Sequence, residues 1–155
     1  MKKQTLASVG WREWVCLPEL GLNGIKAKVD TGARTSALHA FELRPFVEDG
    51  RRRIEFKMHP HQNDVDTVVV CVADVIDERI VTDSGGHKES RWVIETMMEI
   101  GDVRRPIEIT LTSRDTMRFR MLLGRTAIKD WAQVNPGRSY LLGKADECRN
   151  RAEQD

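Results

Sequence analysis

Alternating apolar and polar residues recur along the chain and predict β-strands. In segment 25–29, apolar residues alternate with lysines, which is the period of a strand with one buried face, and the segment ends at Asp30. Three further segments have a strand composition: 54–58, 67–73 and 107–111. The second of these is nearly continuous in β-branched residues, which is typical of a strand covered on both faces. Segment 125–131 fits one short helix, so the pattern predicts an all-β domain, a closed or nearly closed barrel, with one short C-terminal helix.

The length and composition fit one globular domain. The chain has 155 residues, of which 40% are hydrophobic and 32% charged. Both ends are polar and highly charged. We therefore predict a folded domain over 9–143, a disordered N-terminus over 1–8 and a flexible tail over 144–155.

Charge and cysteine content limit the partners and the compartment. A formal net charge of +1 gives no overall attraction to nucleic acid or to an anionic membrane, and we expect neither as a partner. The first residues lack the apolar run of a signal peptide, and no segment approaches the roughly 20 apolar residues of a membrane span. The 3 cysteines form no paired motif, which favours a reducing compartment and predicts a cytoplasmic protein.

The charges are unevenly distributed along the chain. Segment 62–103 is rich in acidic side chains, whereas arginines are concentrated in segment 104–125. This pattern indicates either solvated strand faces or a basic cleft for an acidic ligand.

The segment most informative about chemistry is Asp30-Thr31-Gly32. A strand places its carboxylate in a tight turn that glycine allows, and small residues follow. About 90 residues later, Leu123-Gly124-Arg125 joins an apolar strand to the predicted helix. These two elements resemble the half-site of retropepsin-type aspartic proteases. The resemblance implies a pepsin-type half, with the first segment as the catalytic loop and Leu123 and Gly124 packed beneath it.

A catalytic site of this kind needs two carboxylates. Held about 3 Å apart, they share one proton, so the ionised member takes a proton from water while the protonated member polarises the scissile carbonyl. This chain has one Asp-Thr-Gly. A two-fold homodimer would supply the second copy of Asp30, with no cofactor required.

Asp83 is a rival for the second carboxylate, because Asp83-Ser84-Gly85 resembles the motif of a second lobe. However, only one apolar-apolar-Gly element follows it. The motif lies instead in a long predicted hairpin between segments 80–81 and 92–94, and we interpret this hairpin as a mobile flap over the substrate. The alternative is a plain surface hairpin. The substrate contacts predicted on the hairpin are Ser84, Gly85, Gly86, His87 and Arg91.

The similarity extends to a closer family. Matching blocks occur in the same order over roughly 9–139: 9–21, 27–39, 79–81, 84–85, 89–91, 111–114 and 117–125. This order resembles the bacterial and archaeal family described as ATP-dependent zinc proteases, whose members are similar to retropepsins and are often encoded beside ATP-grasp glutamate ligases. The resemblance implies a dimeric, Asp-dependent peptidase, and in some members the trimming of glutamate tails that the ligase adds.

Arg34 is a departure from viral retropepsins, which carry an acidic residue two positions after the catalytic glycine. That acid pairs with the arginine that corresponds here to Arg125. Two arginines near one cleft would repel each other without an anion, so we predict that they bind a substrate carboxylate, as guanidinium groups do in bidentate geometry. Pairing of either arginine with a local acid such as Asp130 is the alternative.

The sequence does not support a zinc or an ATP site. His-Glu-x-x-His, paired cysteines and a Gly-rich phosphate loop with lysine are all missing. We therefore predict no metal ligand. A zinc-dependent hydrolase that uses His39 with His59 and His61 is a distant alternative.

Two functions from different classes remain open. The favoured one is a homodimeric aspartic peptidase that acts on an acidic peptide or on a glutamate-tailed ribosomal or other protein. The second is a non-catalytic dimeric module that binds acidic peptides or a partner glutamate ligase.

Overall fold

The computed structural model describes residues 6–82, 85–113 and 118–143, which form eleven strands and one α-helix. The strands are β1 (Ala7–Gly10), β2 (Arg12–Leu17), β3 (Leu22–Asp30), β4 (Ser36–His39), β5 (Phe41–Glu48), β6 (Arg51–Met58), β7 (Val69–Thr82), β8 (Lys88–Ile100), β9 (Val103–Thr112), β10 (Met121–Gly124) and β11 (Ala132–Asn135). Helix α1 spans Arg125–Ile128, and a 3-10 turn spans Pro18–Leu20. The prediction of an all-β fold with one short helix is confirmed.

The strands form two sheets and not a strictly closed barrel. β1 and β11 pair in parallel. The other nine strands follow the order β2-β3-β10-β4-β9-β8-β7-β6-β5. The first six strands of this order curl so that β2 also pairs with β8, through the residue pair Cys16–Glu99. The last three strands extend outward, so the predicted closure holds for part of the sheet.

Two boundaries differ from the predictions. Ala7 and Ser8, placed in the predicted N-terminal tail, lie in β1 opposite Ala132 and Gln133. The predicted helix 125–131 ends early, because Lys129 leaves the helical conformation and Asp130 has a positive φ of 75°. The indole nitrogen of Trp131 then donates to the carbonyl of Ala127 at 2.8 Å, which satisfies a carbonyl at the end of the helix. Residues 1–5 and 144–155 lie outside the described residues.

The core is built from the inward face of each strand. Ile25 and Ala27 in β3 are fully buried, as are Ile54 and Phe56 in β6. The prediction that segment 67–73 is covered on both faces is wrong, since Val70 is 55% exposed while Cys71 beside it is 1% exposed. No second layer covers the outer face of β7 there. Burial raises the pKa of the Cys71 thiol to about 12.

A buried carboxylate joins the two ends of the described chain. Glu13 in β2 is 0% exposed and accepts hydrogen bonds from the backbone N–H groups of Gly10, Leu141 and Leu142 at 2.6, 2.9 and 3.2 Å. These hydrogen bonds replace those that the carboxylate would make with water, and so offset the free-energy cost of burying it. They hold the C-terminal segment against the start of β2. Within the described part of the chain, no helix is long and apolar enough to cross a membrane.

Candidate active site

The Asp30 loop is a tight turn at the end of β3. The Gly32 N–H donates to Oδ1 of Asp30 at 3.0 Å, and the Ala33 N–H donates to the Asp30 carbonyl at 3.2 Å. A Cβ at Gly32 would lie 3.2 Å from the same Oδ1, so glycine leaves room for the carboxylate to fold back on the turn. Asp30 is half-buried and its side chain is oriented by this bond.

Gly124 is the close-contact point beneath the loop. It lies opposite Asp30 in the parallel pairing of β10 with β3. Its N–H donates to the buried hydroxyl of Ser36 at 3.0 Å. A Cβ at this position would lie 2.6 Å from the carbonyl carbon of Thr35 and 2.8 Å from the Ser36 nitrogen. Both are backbone atoms, so the clash could be relieved only by moving the chain at Thr35 and Ser36. Glycine therefore allows β10 to pack against the segment that follows the loop.

The first residues of α1 hold the loop from the other side. The Arg125 N–H donates to the carbonyl of Ala33 at 2.8 Å, and its guanidinium donates to the carbonyls of Thr31 and Gly32 at 3.4 and 3.3 Å. Thr126 donates to the Arg34 carbonyl twice, from its N–H at 3.1 Å and from its hydroxyl at 2.7 Å. The two segments predicted to form one half-site therefore lie together and are joined by five hydrogen bonds.

A cleft of about 740 Å³ lies between this loop and the β7–β8 hairpin. Its lining residues come from both elements and from neighbouring strands: Asp30, Gly32, Ala33, Arg34, Thr35, Ala37, Arg79, Ile80, Val81, Thr82, Arg91, Thr110 and Leu122. Asp30 is the one carboxylate among them, and three arginines are present. The cleft is thus large enough for several peptide residues, and three guanidinium groups border it.

The three arginines differ in their partners. Arg91 pairs with Glu89 at 3.1 Å. Arg79 pairs with Asp77 at 2.9 Å and with Glu108 at 3.1 Å. The hydrogen bond that Arg79 donates lowers the pKa of the Asp77 carboxyl, and the hydrogen bonds that it donates to Asp77 and Glu108 raise the pKa of Arg79, so these groups remain ionised. Over the described ranges, no carboxylate forms an ion pair with the exposed Arg34.

The hairpin contacts the cleft through its strands and not through its tip. Ile80, Val81 and Thr82 line the cleft, and Arg79 lies opposite Arg91 in the strand register. Gly85, Gly86 and His87 are exposed at the tip and are not among the lining residues. Ser84 and the rival Asp83 lie outside the described residues. The sequence prediction of substrate contacts missed residues 79–82, because which face of this strand borders the cleft is visible only in the burial pattern of the folded hairpin.

Arg125 lies away from the cleft that holds Asp30. It lines a second hollow of about 690 Å³, and Arg34 is the residue common to both. Arg34 and Arg125 therefore line one hollow, as predicted, but it is not the cleft that holds Asp30, and the Arg125 guanidinium bonds to the carbonyls of Thr31 and Gly32. The alternative of pairing with Asp130 is not seen either among the ion pairs of the described residues.

The histidines of the distant zinc alternative do not converge. His39 is buried with Nδ1 3.3 Å from the Arg120 guanidinium, whereas His59 stacks on Phe41 and its Nδ1 lies 3.1 Å from the Thr67 carbonyl. Across 6–82, 85–113 and 118–143, no three His, Cys, Asp or Glu side chains form a group that could hold a metal ion.

Relatives of this chain include proteins from several bacteria. Residues 8–145 match the model of the RimB-like family, described as retropepsin-like aspartic endopeptidase RimB. A probable alpha-L-glutamate ligase of Parasynechococcus marenigrum is 47% identical over 135 residues, and one of Shewanella pealeana is 42% identical over 136 residues. These alignments cover 87% and 88% of this chain but only 29% and 30% of those proteins. The chain therefore spans less than a third of the curated relatives that it matches.

A solved structure supports the same fold. The crystal structure of a Legionella pneumophila protein of unknown function superposes with a TM-score of 0.75 at 24% identity, covering 89% of this chain and 99% of that one. The family description contains neither ATP nor zinc, so that part of the resemblance drawn from the sequence is not shown. With its Asp-Thr-Gly loop seated on Gly124 and Arg125, the chain belongs to the RimB-like family of retropepsin-like aspartic endopeptidases.

Proposed function

We propose that this chain is an aspartic peptidase that acts as a homodimer, in which two copies of Asp30 activate one water molecule. The observation that carries the proposal is the position of Asp30, which is held in a rigid loop at one side of a peptide-sized cleft under a long hairpin. Family membership supports the same chemistry.

The mechanism follows from the geometry of the loop. One Asp30 carboxylate, ionised, takes a proton from water, and the protonated copy donates a hydrogen bond to the scissile carbonyl. The water oxygen then bonds to the carbonyl carbon and forms a tetrahedral intermediate. This intermediate breaks at its C–N bond, as the Asp30 carboxyl that took the proton from water gives it to the leaving amine nitrogen. The hydrogen bond from Gly32 and the contacts from Arg125 keep the carboxylate oriented, so little reorganisation is needed during the reaction.

The dimer is required because one described copy supplies one carboxylate to the cleft. Thr31 would contact its own copy across the two-fold axis and lock the two loops together. The 690 Å³ hollow beside Thr31, which α1 and β11 also line, is the surface that a second copy would cover.

We propose an acidic peptide as the substrate, with a glutamate tail on a ribosomal or other protein as the specific case. Arg34 supports this choice, because a guanidinium that forms no ion pair within the described residues lines the cleft beside Asp30. The names of the relatives give independent support, since those proteins are called probable alpha-L-glutamate ligases and contain a region similar to this chain. A hydrolase of glutamate linkages would reverse such a ligation.

The first experiment is cleavage of a glutamate-tailed protein by the wild type and by Asp30→Asn, with excess chelator and mass spectrometry as the readout. Asn keeps the shape of Asp but cannot share the proton. We expect wild-type cleavage and a loss of at least about 1000-fold in the variant. Analytical ultracentrifugation on the same samples should show a dimer in both.

Four outcomes would redirect the proposal. Equal cleavage by both proteins would move the chemistry away from Asp30. Activity that chelator removes would favour the zinc alternative. Binding of the tail without cleavage by either protein would favour the non-catalytic module, and a strict monomer would exclude the shared site.

A further inference from the structure

The outward face of β3 carries a row of two lysines that leads away from Asp30. Lys26, Lys28 and Asp30 alternate with residues that face the core, so all three side chains lie on the same outward face. In the antiparallel register with β2, Arg12 lies opposite Lys28 and Trp14 lies opposite Lys26. The Arg12 guanidinium donates to the Ser139 hydroxyl at 3.1 Å and lies over the ring of Tyr140, whereas neither lysine forms an ion pair with a carboxylate of the described residues.

Lys26 lies in a small hollow at the far end of this row. The hollow has a volume of about 170 Å³ and is lined by Trp14, Lys26, Pro60, His61 and Gln62. The Lys26 ammonium lies 5.3 Å from the centre of the Trp14 ring, a cation–π contact that favours a fixed position of the charge. Among the described residues, no carboxylate forms an ion pair with it.

Gln62 borders the same hollow and is half-buried. Its side-chain nitrogen Nε2 has no hydrogen-bond partner within the described residues, but this atom is buried from solvent and is not open to a ligand oxygen. The Lys26 ammonium is therefore the donor that an acidic group in the hollow would contact.

We propose that this hollow is an exosite for an acidic side chain of the substrate peptide. The Lys26 ammonium matches a carboxylate, while the apolar surfaces of Trp14 and Pro60 match the methylene stem that carries it. The inference rests on the proposed function, because it assigns the hollow to the same acidic substrate. The exosite would bind the tail and hold the chain while Asp30 cleaves it.

The distance along β3 sets which residue of the peptide reaches the exosite. Lys26 and Asp30 are four positions apart, which is about 13 Å of strand. An extended peptide has the same rise, so an acidic residue about four positions from the scissile bond reaches Lys26. The exposed Lys28 lies midway and would contact the residue about two positions away. We therefore expect the exosite to act on tails of four or more acidic residues and not on shorter ones.

The test measures binding separately from cleavage. A fluorescent ten-residue glutamate peptide is titrated into the full-length Asp30→Asn protein carrying either Lys26→Gln or Arg44→Gln. Both substitutions remove one positive charge, but Arg44 lies in β5, at the opposite end of the nine-stranded sheet. We expect Lys26→Gln to weaken binding about tenfold, Arg44→Gln to change it less than twofold, and Lys26→Arg to retain it. Equal effects of the two glutamine variants would overturn the exosite.

Two further readouts separate this inference from the function on which it rests. In a protein that keeps Asp30, Lys26→Gln should raise KM for ten-residue tails and leave kcat unchanged. For two-residue tails, the same substitution should change neither KM nor kcat. An effect that does not depend on tail length would contradict the inference. A wild type that binds but does not cleave would refute the peptidase while the binding series still decides the exosite. A single-stranded RNA that competes as well as the peptide at equal charge would contradict the assignment to an acidic peptide. Unchanged thermal unfolding of each variant confirms that the fold is intact.

Discussion

Asp30 and Gly124 lie directly opposite each other in a parallel pair of strands, although 94 residues separate them in the chain. The pairing places the start of α1 against the Asp30 turn, so that Arg125 and Thr126 bond to the backbone of residues 31–34. The catalytic loop of the proposed peptidase is therefore held by a distant segment. This relationship leads to the first two predictions.

Gly124→Ala should destabilise the protein strongly. The added methyl would meet the backbone of Thr35 and Ser36 at 2.6–2.8 Å, and backbone atoms on both sides would have to move. We expect a loss of about 2–3 kcal/mol in the free energy of unfolding, measured by urea denaturation. Gly137→Ala is the matched control, because its nearest contact would be 3.6 Å from the Asn135 side chain. Equal effects of the two substitutions would show that the close contact at Gly124 is not important.

Arg125→Lys should lower activity while leaving the fold intact. Lysine keeps the charge but has a single nitrogen, which cannot span the carbonyls of Thr31 and Gly32 as the guanidinium does. We expect kcat to fall by about 10- to 100-fold as the loop loses its fixed position. Arg51→Lys, on the exposed part of β6, is the control and should leave kcat unchanged. A change in KM alone would instead place Arg125 in substrate binding.

Arg34→Gln should weaken the preference for acidic substrates. The guanidinium lines the cleft beside Asp30, and removing it takes away a carboxylate partner without removing a core contact. We expect kcat/KM for a glutamate peptide to fall about tenfold, with the value for a neutral peptide changed less than twofold. Parallel assays on the two peptides measure this ratio. An unchanged ratio would mean that Arg34 does not read the substrate charge.

Glu13→Gln should destabilise the joined chain ends. One carboxylate oxygen accepts from both Gly10 and Leu141, and an amide NH₂ in that place would face two donors. We expect a loss of about 2–3 kcal/mol by urea denaturation. The exposed Glu95→Gln is the control and should change stability by less than about 0.5 kcal/mol. Similar values for the two variants would show that these bonds add little to stability.

Cys71 should be unreactive in the folded protein. It is 1% exposed, and burial raises the pKa of its thiol to about 12, so almost none is thiolate at pH 8. Iodoacetamide at pH 8 should therefore leave its peptide unlabelled under native conditions and label it fully in denaturant. Mass spectrometry of tryptic peptides measures both states. Native labelling at the rate of a free thiol would contradict the burial.

Local sequence patterns were enough to predict the strands that carry the site. The alternation in segment 25–29 predicted a strand that ends at Asp30, and the apolar run before Gly124 predicted the strand beneath it. Both predictions held, because a strand with one buried face has a period of two that local residues encode. The motif also indicated the family, since Asp-Thr-Gly and the Gly-Arg element are short and local.

Local patterns did not reveal which distant side chains share a surface, and this emerged from the folded sheet. It placed Arg79 and Arg91 of the hairpin in the cleft, directed Arg125 to the loop carbonyls, and buried Glu13 among backbone N–H groups. Segment 67–73 shows the same limit, because an apolar run does not reveal whether a second layer will cover it. The physical reason is that pairing between strands far apart in the chain depends on packing of the whole sheet, whereas periodicity reports only the residues next to each other.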